Sequence, residues 1–192
     1  MRFTKMHGLG NDYIFINCMA GTPDGLPELA RRLSDRHFGV GGDGIICVCP
    51  SQRADFKMRM FNADGSEGAM CGNGIRCFGK YVYDKGLTNK RHLAVETGAG
   101  ERELSLLIRD GAAAGAAVGM GVPVVQPPVA LAIGDREYEA VPVSMGNPHA
   151  VIEADAPAAL DLTALGPQVE RHPAFPGRVN AEFVRVLNRW EL

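Results

Sequence analysis

The chain has to fold from short elements, because 24 glycines and 12 prolines are spread through its 192 residues. Arg2–Met6 and Asp12–Asn17 read as strands on either side of the turn His7-Gly8-Leu9-Gly10-Asn11. Pro27 to His37 is predicted as a helix. Proline stands at its start, Leu29, Leu33 and Arg36/His37 follow at helical spacing, and Gly39 stops it. Ile45–Cys49 and Asp55–Phe61 read as strands, the second half buried because Phe56, Met58 and Met60 alternate with Lys57 and Arg59. After the turn cluster Asn62-Ala63-Asp64-Gly65-Ser66-Glu67, the stretch from Cys71 to Lys85 carries Ile75, Phe78 and Val82 on one helical face with Tyr81 beside them. This lightly charged helix is expected to be enclosed by sheet and closed by Gly86. Leu93–Thr97 and Glu101–Arg109 are two further strands.

Gly111–Pro128 is a shift in composition towards Gly, Ala and Pro, with Ala116–Met120 a candidate strand inside it. It is read as the crossing between two α/β (α+β) domains, residues 1–115 and residues 116–192. Strands are expected near Tyr138–Ser144, Ala150–Glu153 and Val179–Leu187, and a helix near Leu162–Arg171. Roughly 64 residues remain after Pro128, close to the lower size at which a core stands alone.

The 20 basic and 22 acidic side chains leave a net charge of -2, and 7% of the chain is aromatic. A nucleic-acid or membrane-surface binder would show a basic excess. Met1–His7 has no apolar run of the kind a signal peptide needs, and Gly111–Val125 is too short and glycine-rich for a membrane helix. The five cysteines, Cys18, Cys47, Cys49, Cys71 and Cys77, are an odd number and read as cytosolic thiols, so a cytoplasmic protein is expected.

Gly39-Val40-Gly41-Gly42-Asp43-Gly44 fits the spacing of a dinucleotide loop, but it follows a helix and leads into a strand, the reverse of what that loop requires. Cys47 and Cys49 are one residue apart, which in a strand puts both on one face and does not match a zinc knuckle. Cys71 is different. In Met70-Cys71-Gly72-Asn73-Gly74-Ile75-Arg76 a turn feeds a helix, whose free N–H groups and dipole favour a thiolate and a substrate carboxylate beside it. Asn11, Asn62, Asn73, Asn147 and Asn180 stand in turns or at strand edges. Amides there can accept from an ammonium and donate to a carboxylate without adding charge near a thiolate. His149 follows Asn147-Pro148 at the head of a strand.

Several of these segments together resemble the diaminopimelate epimerase family. They are Lys5-Met6-His7-Gly8-Leu9-Gly10-Asn11-Asp12, Phe61-Asn62-Ala63-Asp64-Gly65-Ser66-Glu67, Met70-Cys71-Gly72-Asn73-Gly74-Ile75-Arg76-Cys77, Gly146-Asn147-Pro148-His149 and Asn180-Ala181-Glu182-Phe183. The resemblance implies a cofactor-independent isomerase of lysine and peptidoglycan synthesis that interconverts LL- and meso-diaminopimelate. It implies two similar domains, each a mixed sheet wrapped round a central helix, with substrate in the cleft. By motif position Cys71 matches the catalytic thiol, and Gly72 and Asn73 match the carboxylate-binding segment. Asn11, Asn62, Asn147 and Asn180 match substrate contacts, and His149 matches a residue that tunes the thiols. Gly44 stands where many members carry glutamine. The expected partner is a small-molecule substrate, with a homodimer as the one protein assembly considered.

The mechanism the resemblance implies uses two thiols, one removing the α-proton and the other protonating the opposite face, while helix N-termini hold the carboxylate of the developing carbanion. In the family a second cysteine, with a glutamate–arginine pair before it, follows the strand that ends near Arg189. This sequence stops at Trp190-Glu191-Leu192, so a truncated second domain and a chain that does not invert its substrate at a useful rate alone are expected. Three other readings stay open at this stage: a proline racemase-like isomerase of the same fold, a cysteine hydrolase using Cys71 and His149, and an inactive amino-acid-binding module.

Overall fold

In chain order the first elements are strands β1 (Thr4–Gly8) and β2 (Asn11–Asn17), helix α1 (Leu26–Ser34), and strands β3 (Gly44–Cys49), β4 (Phe56–Asn62) and β5 (Glu67–Gly68). Helix α2 (Gly72–Asp84) and strands β6 (His92–Thr97), β7 (Gly100–Arg109) and β8 (Ala112–Val118) follow. The protein is described here from a computed structural model covering residues 1–191. The strands join in the order β1-β2-β3-β4-β6-β7-β8, with β5 alongside β4. Pairing is antiparallel except at β2–β3 and β4–β6, so the sheet is mixed. Both end strands, β1 and β8, pack on α2, which therefore lies inside a curled sheet, in agreement with its apolar face.

Strand periodicity explains how one sheet serves two helices. In β2, Tyr13 and Phe15 face the α2 side with Ile75, Phe78 and Val82, while Ile14 and Ile16 join Leu26 and Ala30 of α1. All six residues of β3 are buried, Ile46 and Val48 inward and Ile45, Cys47 and Cys49 beneath α1. Burying a side chain such as Phe78 contributes about 2–3 kcal/mol. The helix seats closely because Gly74 and Gly79 carry no side chain. A Cβ at Gly79 would fall 2.8 Å from a methyl of Leu106, and one at Gly74 would fall 2.7 Å from Ile46 Cδ1.

Several boundaries differ from the sequence expectation, among them β1, which runs Thr4–Gly8 rather than Arg2–Met6 and shortens the turn to Leu9-Gly10. Helix α1 ends at Ser34 rather than His37, because the Asp35 carboxylate accepts the backbone N–H groups of His37 and Phe38, both at 2.7 Å, and draws the chain out of the helix. Strand β8 begins at Ala112 and continues the β7 hairpin, with Arg109 opposite Ala112. The first compact unit therefore runs through Met120, and the second begins at Gly121, whereas the expected division at 115/116 falls inside β8. The last expected strand is shorter, Asn180–Val184.

The second unit contains β9 (Val124–Val125), β10 (Val129–Ile133), β11 (Arg136–Ser144), β12 (Pro148–Glu153), helix α3 (Leu162–Glu170) and β13 (Asn180–Val184). Its sheet runs β10-β11-β12-β13, with β9 against β11 and one parallel pair, β12–β13. Strand β10 adds to the expected strands, and its Val129, Leu131 and Ile133 alternate towards the core. Helix α3 packs on β10 and β13 over Leu131, Ile133, Ala140, Ala150, Ile152, Val169 and Val179. No helix among the described residues is long and apolar enough to cross a membrane.

Candidate functional site

Cys71 is the residue on which α2 starts. Its backbone is extended (φ -134°, ψ 121°), so it caps the helix, and its sulfur accepts the Gly74 N–H at 3.4 Å. No acidic side chain occupies the first turn of α2, which leaves the positive end of the dipole open to an external anion. Gly72 keeps that approach clear, since a Cβ there would meet only Met120 Cε, at 3.7 Å.

On the other side of the sulfur lies Asn11, at the start of β2. The Asn11 Nδ2 group donates to Asp43 Oδ2 at 2.7 Å, and this turns the amide oxygen towards Cys71, whose thiol donates to Asn11 Oδ1 at 3.2 Å. Asp43 also accepts the Asp12 N–H at 3.0 Å and pairs with Arg36 at 2.9 Å. Arg36, helped by Lys5, holds the Asp12 carboxyl far below the usual carboxylate range. Tyr13 sits beside the same thiol, and burial together with the neighbouring Cys71 pushes its phenol well above its ordinary value. It therefore stays protonated as a potential donor.

Asn73 is oriented in the opposite sense. Arg76 donates one arm of its guanidinium to the Asn73 amide oxygen and the other to the Gly72 carbonyl at 3.2 Å, which leaves the Asn73 NH₂ group without a partner among the described residues. The β1–β2 turn packs on this first helical turn, with Gly8 so close that a Cβ would lie 3.2 Å from the Asn73 carbonyl. The turn itself places Leu9 (φ 55°) and Gly10 (φ 87°) in left-handed conformations, as a tight hairpin requires. Asn62 ends β4 opposite Gly44, donates its amide to Ser66 Oγ at 3.0 Å, and is followed by Ala63, whose N–H donates to the Asp43 carbonyl at 3.0 Å. Asn62 thus borders the Asp43 clamp but is turned to Ser66 rather than to Cys71. At Gly44 a Cβ would fall 2.1 Å from the Phe61 carbonyl oxygen, so this backbone admits no larger residue.

Of the five cysteines, Cys71 is the one that is not buried. Cys18, Cys47 and Cys49 cluster beneath α1, where burial and mutual proximity push Cys49 up to about 11 and Cys47 higher still. Cys77 lies in the core around α2, and burial raises its thiol too. Among the described residues no group of three or more His, Cys, Asp or Glu side chains is arranged to hold a metal ion.

The second unit carries the other three candidates. His149 leads β12, pairs in register with Asn180 of β13, and approaches Glu182 Oε1 with its Nδ1 at 2.6 Å. Asn180 donates its amide to the Pro148 carbonyl at 3.0 Å, and the Asn147 carbonyl accepts the Met145 N–H at 3.1 Å. Asn147, His149 and Asn180 therefore gather at one end of the β12–β13 pair.

The sequence profile of the diaminopimelate epimerases matches residues 3–126. A diaminopimelate epimerase of Acetivibrio thermocellus is 51% identical across the whole of this chain, which spans 73% of that enzyme. The chain belongs to the diaminopimelate epimerase family. Two further relatives of that name, from Agathobacter rectalis and Desulfovibrio desulfuricans, are 46% and 47% identical, with 74% and 72% of their lengths covered. Among solved structures, a probable proline racemase from Agrobacterium radiobacter aligns with a TM-score of 0.69 at 15% identity, over 98% of this chain and 67% of that one. A hydroxyproline epimerase from Agrobacterium vitis aligns at 0.61 and 16% identity, over 88% of this chain and 55% of that one. These likenesses share the fold.

Within the family framework, four residues of the arrangement escaped the sequence reading: Tyr13, Asp43, Arg76 and Glu182. Only Arg76 had a local signal, because it stands one helical turn after Asn73 and can reach back to it. Asp43 is far from Asn11 in sequence, and only the β2–β3 register brings them together.

Proposed function

We propose that the chain acts as a diaminopimelate epimerase, an isomerase that moves the α-proton of diaminopimelate with Cys71 and without a cofactor. The observation that carries this reading is the pair of partners on the Cys71 sulfur. The Gly74 N–H favours the thiolate that removes a proton, and the Asn11 amide oxygen accepts from the thiol that returns one. A group that must alternate between base and acid needs a neighbour for each state. The substrate carboxylate takes the open N–H groups of Gly72 and Asn73 together with the Asn73 side-chain amide, which places the α-carbon beside the sulfur and stabilises the charge that develops on it.

Asn11, Asn62, Asn147 and Asn180 are assigned to the remaining polar groups of the substrate, and His149, oriented by Glu182, to tuning thiol chemistry. The reading calls for a small-molecule partner in the cytoplasm, with no part for nucleic acid or membrane, and it places no requirement on a homodimer. Kinship of sequence favours diaminopimelate over proline, since the likeness to proline racemase is one of fold.

The test is proton NMR of LL-diaminopimelate in deuterated buffer, following exchange at the α-carbon and configuration together. Exchange is expected to fall by about a thousandfold in Cys71→Ala. It is also expected to outrun inversion in the 192-residue chain, because the other four thiols are buried and cannot serve the opposite face. Exchange that survives in Cys71→Ala, or release of a carboxylic acid from an ester or amide, would overturn the assignment.

A further inference from the structure

We infer that Asp43 is a positioning residue for Cys71, acting through the orientation of Asn11. A primary amide beside a sulfur can present either its oxygen or its NH₂ group, and the two have opposite effects. The oxygen accepts from a thiol and repels a thiolate, whereas the NH₂ group donates to a thiolate. Asn11 has no freedom to choose, because Asp43 Oδ2 accepts from its Nδ2 at 2.7 Å and a carboxylate cannot donate in return. Asp43 is itself fixed by Arg36 at 2.9 Å and by the Asp12 N–H at 3.0 Å. The chain Arg36–Asp43–Asn11–Cys71 therefore sets which end of the amide the sulfur meets, and it meets the oxygen at 3.2 Å.

This polarity has a mechanistic purpose. The Gly74 N–H already supports the thiolate, and a second donor from Asn11 would stabilise it further, leaving a weaker base towards the α-proton and less of the thiol that returns one. With the oxygen presented, both protonation states have a partner. The charged and titratable groups around Cys71 are Tyr13 on β2, Asp43 before β3 with Arg36 paired to it, and Arg76 and Cys77 on α2. Among them Asp43 is the one that acts on the sulfur through a neutral amide.

The inference rests on Cys71 being the acting thiol, but its test does not use the epimerase reaction. Alkylation of Cys71 by iodoacetamide, mapped by mass spectrometry across pH, is compared in the parent, Asp43→Ala, Asn11→Ala and the double variant. Releasing the amide in Asp43→Ala, or removing it in Asn11→Ala, should raise the neutral-pH rate about fivefold, the size of one hydrogen bond's preference. In the double variant the rate should match that of Asn11→Ala alone. If Asp43 acted simply as a nearby negative charge, its substitution would still accelerate alkylation in the Asn11→Ala background, and the inference would fall. It also falls if Asp43→Ala folds and leaves the profile unchanged. Should Asp43→Ala not fold, an unchanged profile in Asn11→Ala is sufficient to refute it. Failure of the diaminopimelate reading would instead show as absent α-exchange with these alkylation differences intact.

Discussion

Helices α2 and α3 each lie against a mixed sheet, yet they differ in what surrounds them and in what occupies their first turns. Helix α2 has Ile75, Cys77, Phe78, Tyr81 and Val82 buried within the curled sheet, whereas α3 buries Val169 alone and carries Pro167 in its interior. At its start α2 has a thiol cap on the Gly74 N–H and no carboxylate, so its Gly72 and Asn73 N–H groups are open. In α3 the N–H equivalent to that of Gly74, that of Ala164, is accepted by a carboxylate, Asp161, at 3.1 Å, and the Leu162 N–H donates to the Leu160 carbonyl at 3.0 Å. The same helix-end physics thus leaves one start without an anion of its own and supplies the other with a carboxylate.

Truncation in the two cores offers the largest contrast. Phe78→Ala should cost about 3–5 kcal/mol by cavity formation, and Val169→Ala about 2 kcal/mol. Denaturant titration of each variant checks this, and equal losses would mean that α3 is as deeply held as α2. At the helix starts the effects should separate by type. Gly72→Val places a side chain over the open donors of α2 and should weaken diaminopimelate binding about tenfold with stability nearly unchanged. Asp161→Ala should cost about 1 kcal/mol of stability and leave binding alone. Calorimetric titration beside thermal melts distinguishes them, and unchanged affinity in Gly72→Val would remove the carboxylate site from α2.

The smallest effect concerns Glu96 in the first unit, whose carboxyl is held down at about 2 by the Ser51 hydroxyl, Lys57 and Arg53. A depressed carboxyl stabilises the folded state above its ordinary value of 4.5 and loses that contribution as the pH falls towards about 2. Glu96→Gln should therefore make acid unfolding, followed by circular dichroism, less steep within that window. A profile identical to the parent's would show that Glu96 adds nothing to the acid stability of its unit.

Local pattern carried the sequence reading far in the first unit. The Ile75–Phe78–Val82 face and the alternation of Phe56, Met58 and Met60 named the enclosed helix and a wall of its enclosure. Cys71-Gly72-Asn73-Gly74 named the helix start. What local pattern missed depends on long-range pairing or on side-chain competition. Asp35 ended α1 early by capturing two N–H groups that helical spacing had assigned to the helix. Strand β8 was legible only as the candidate Ala116–Met120, and its start at Ala112 lay in an alanine- and glycine-rich stretch whose strand character comes from pairing with β7. The asparagines were legible as amides, but the direction each one faces is set by Asp43 and Arg76.

The burial of β3 between α1 and the core has a practical consequence for following the protein in time. Cys47 and Cys49 lie in a strand that is covered on both faces and flanked by β2 and β4, so a reagent reaches them only when the first unit opens as a whole. Cys71 meets the same reagent in the native state. One pulse of thiol label therefore records two clocks in a single chain, the readiness of the reacting sulfur and the lifetime of the fold that holds it.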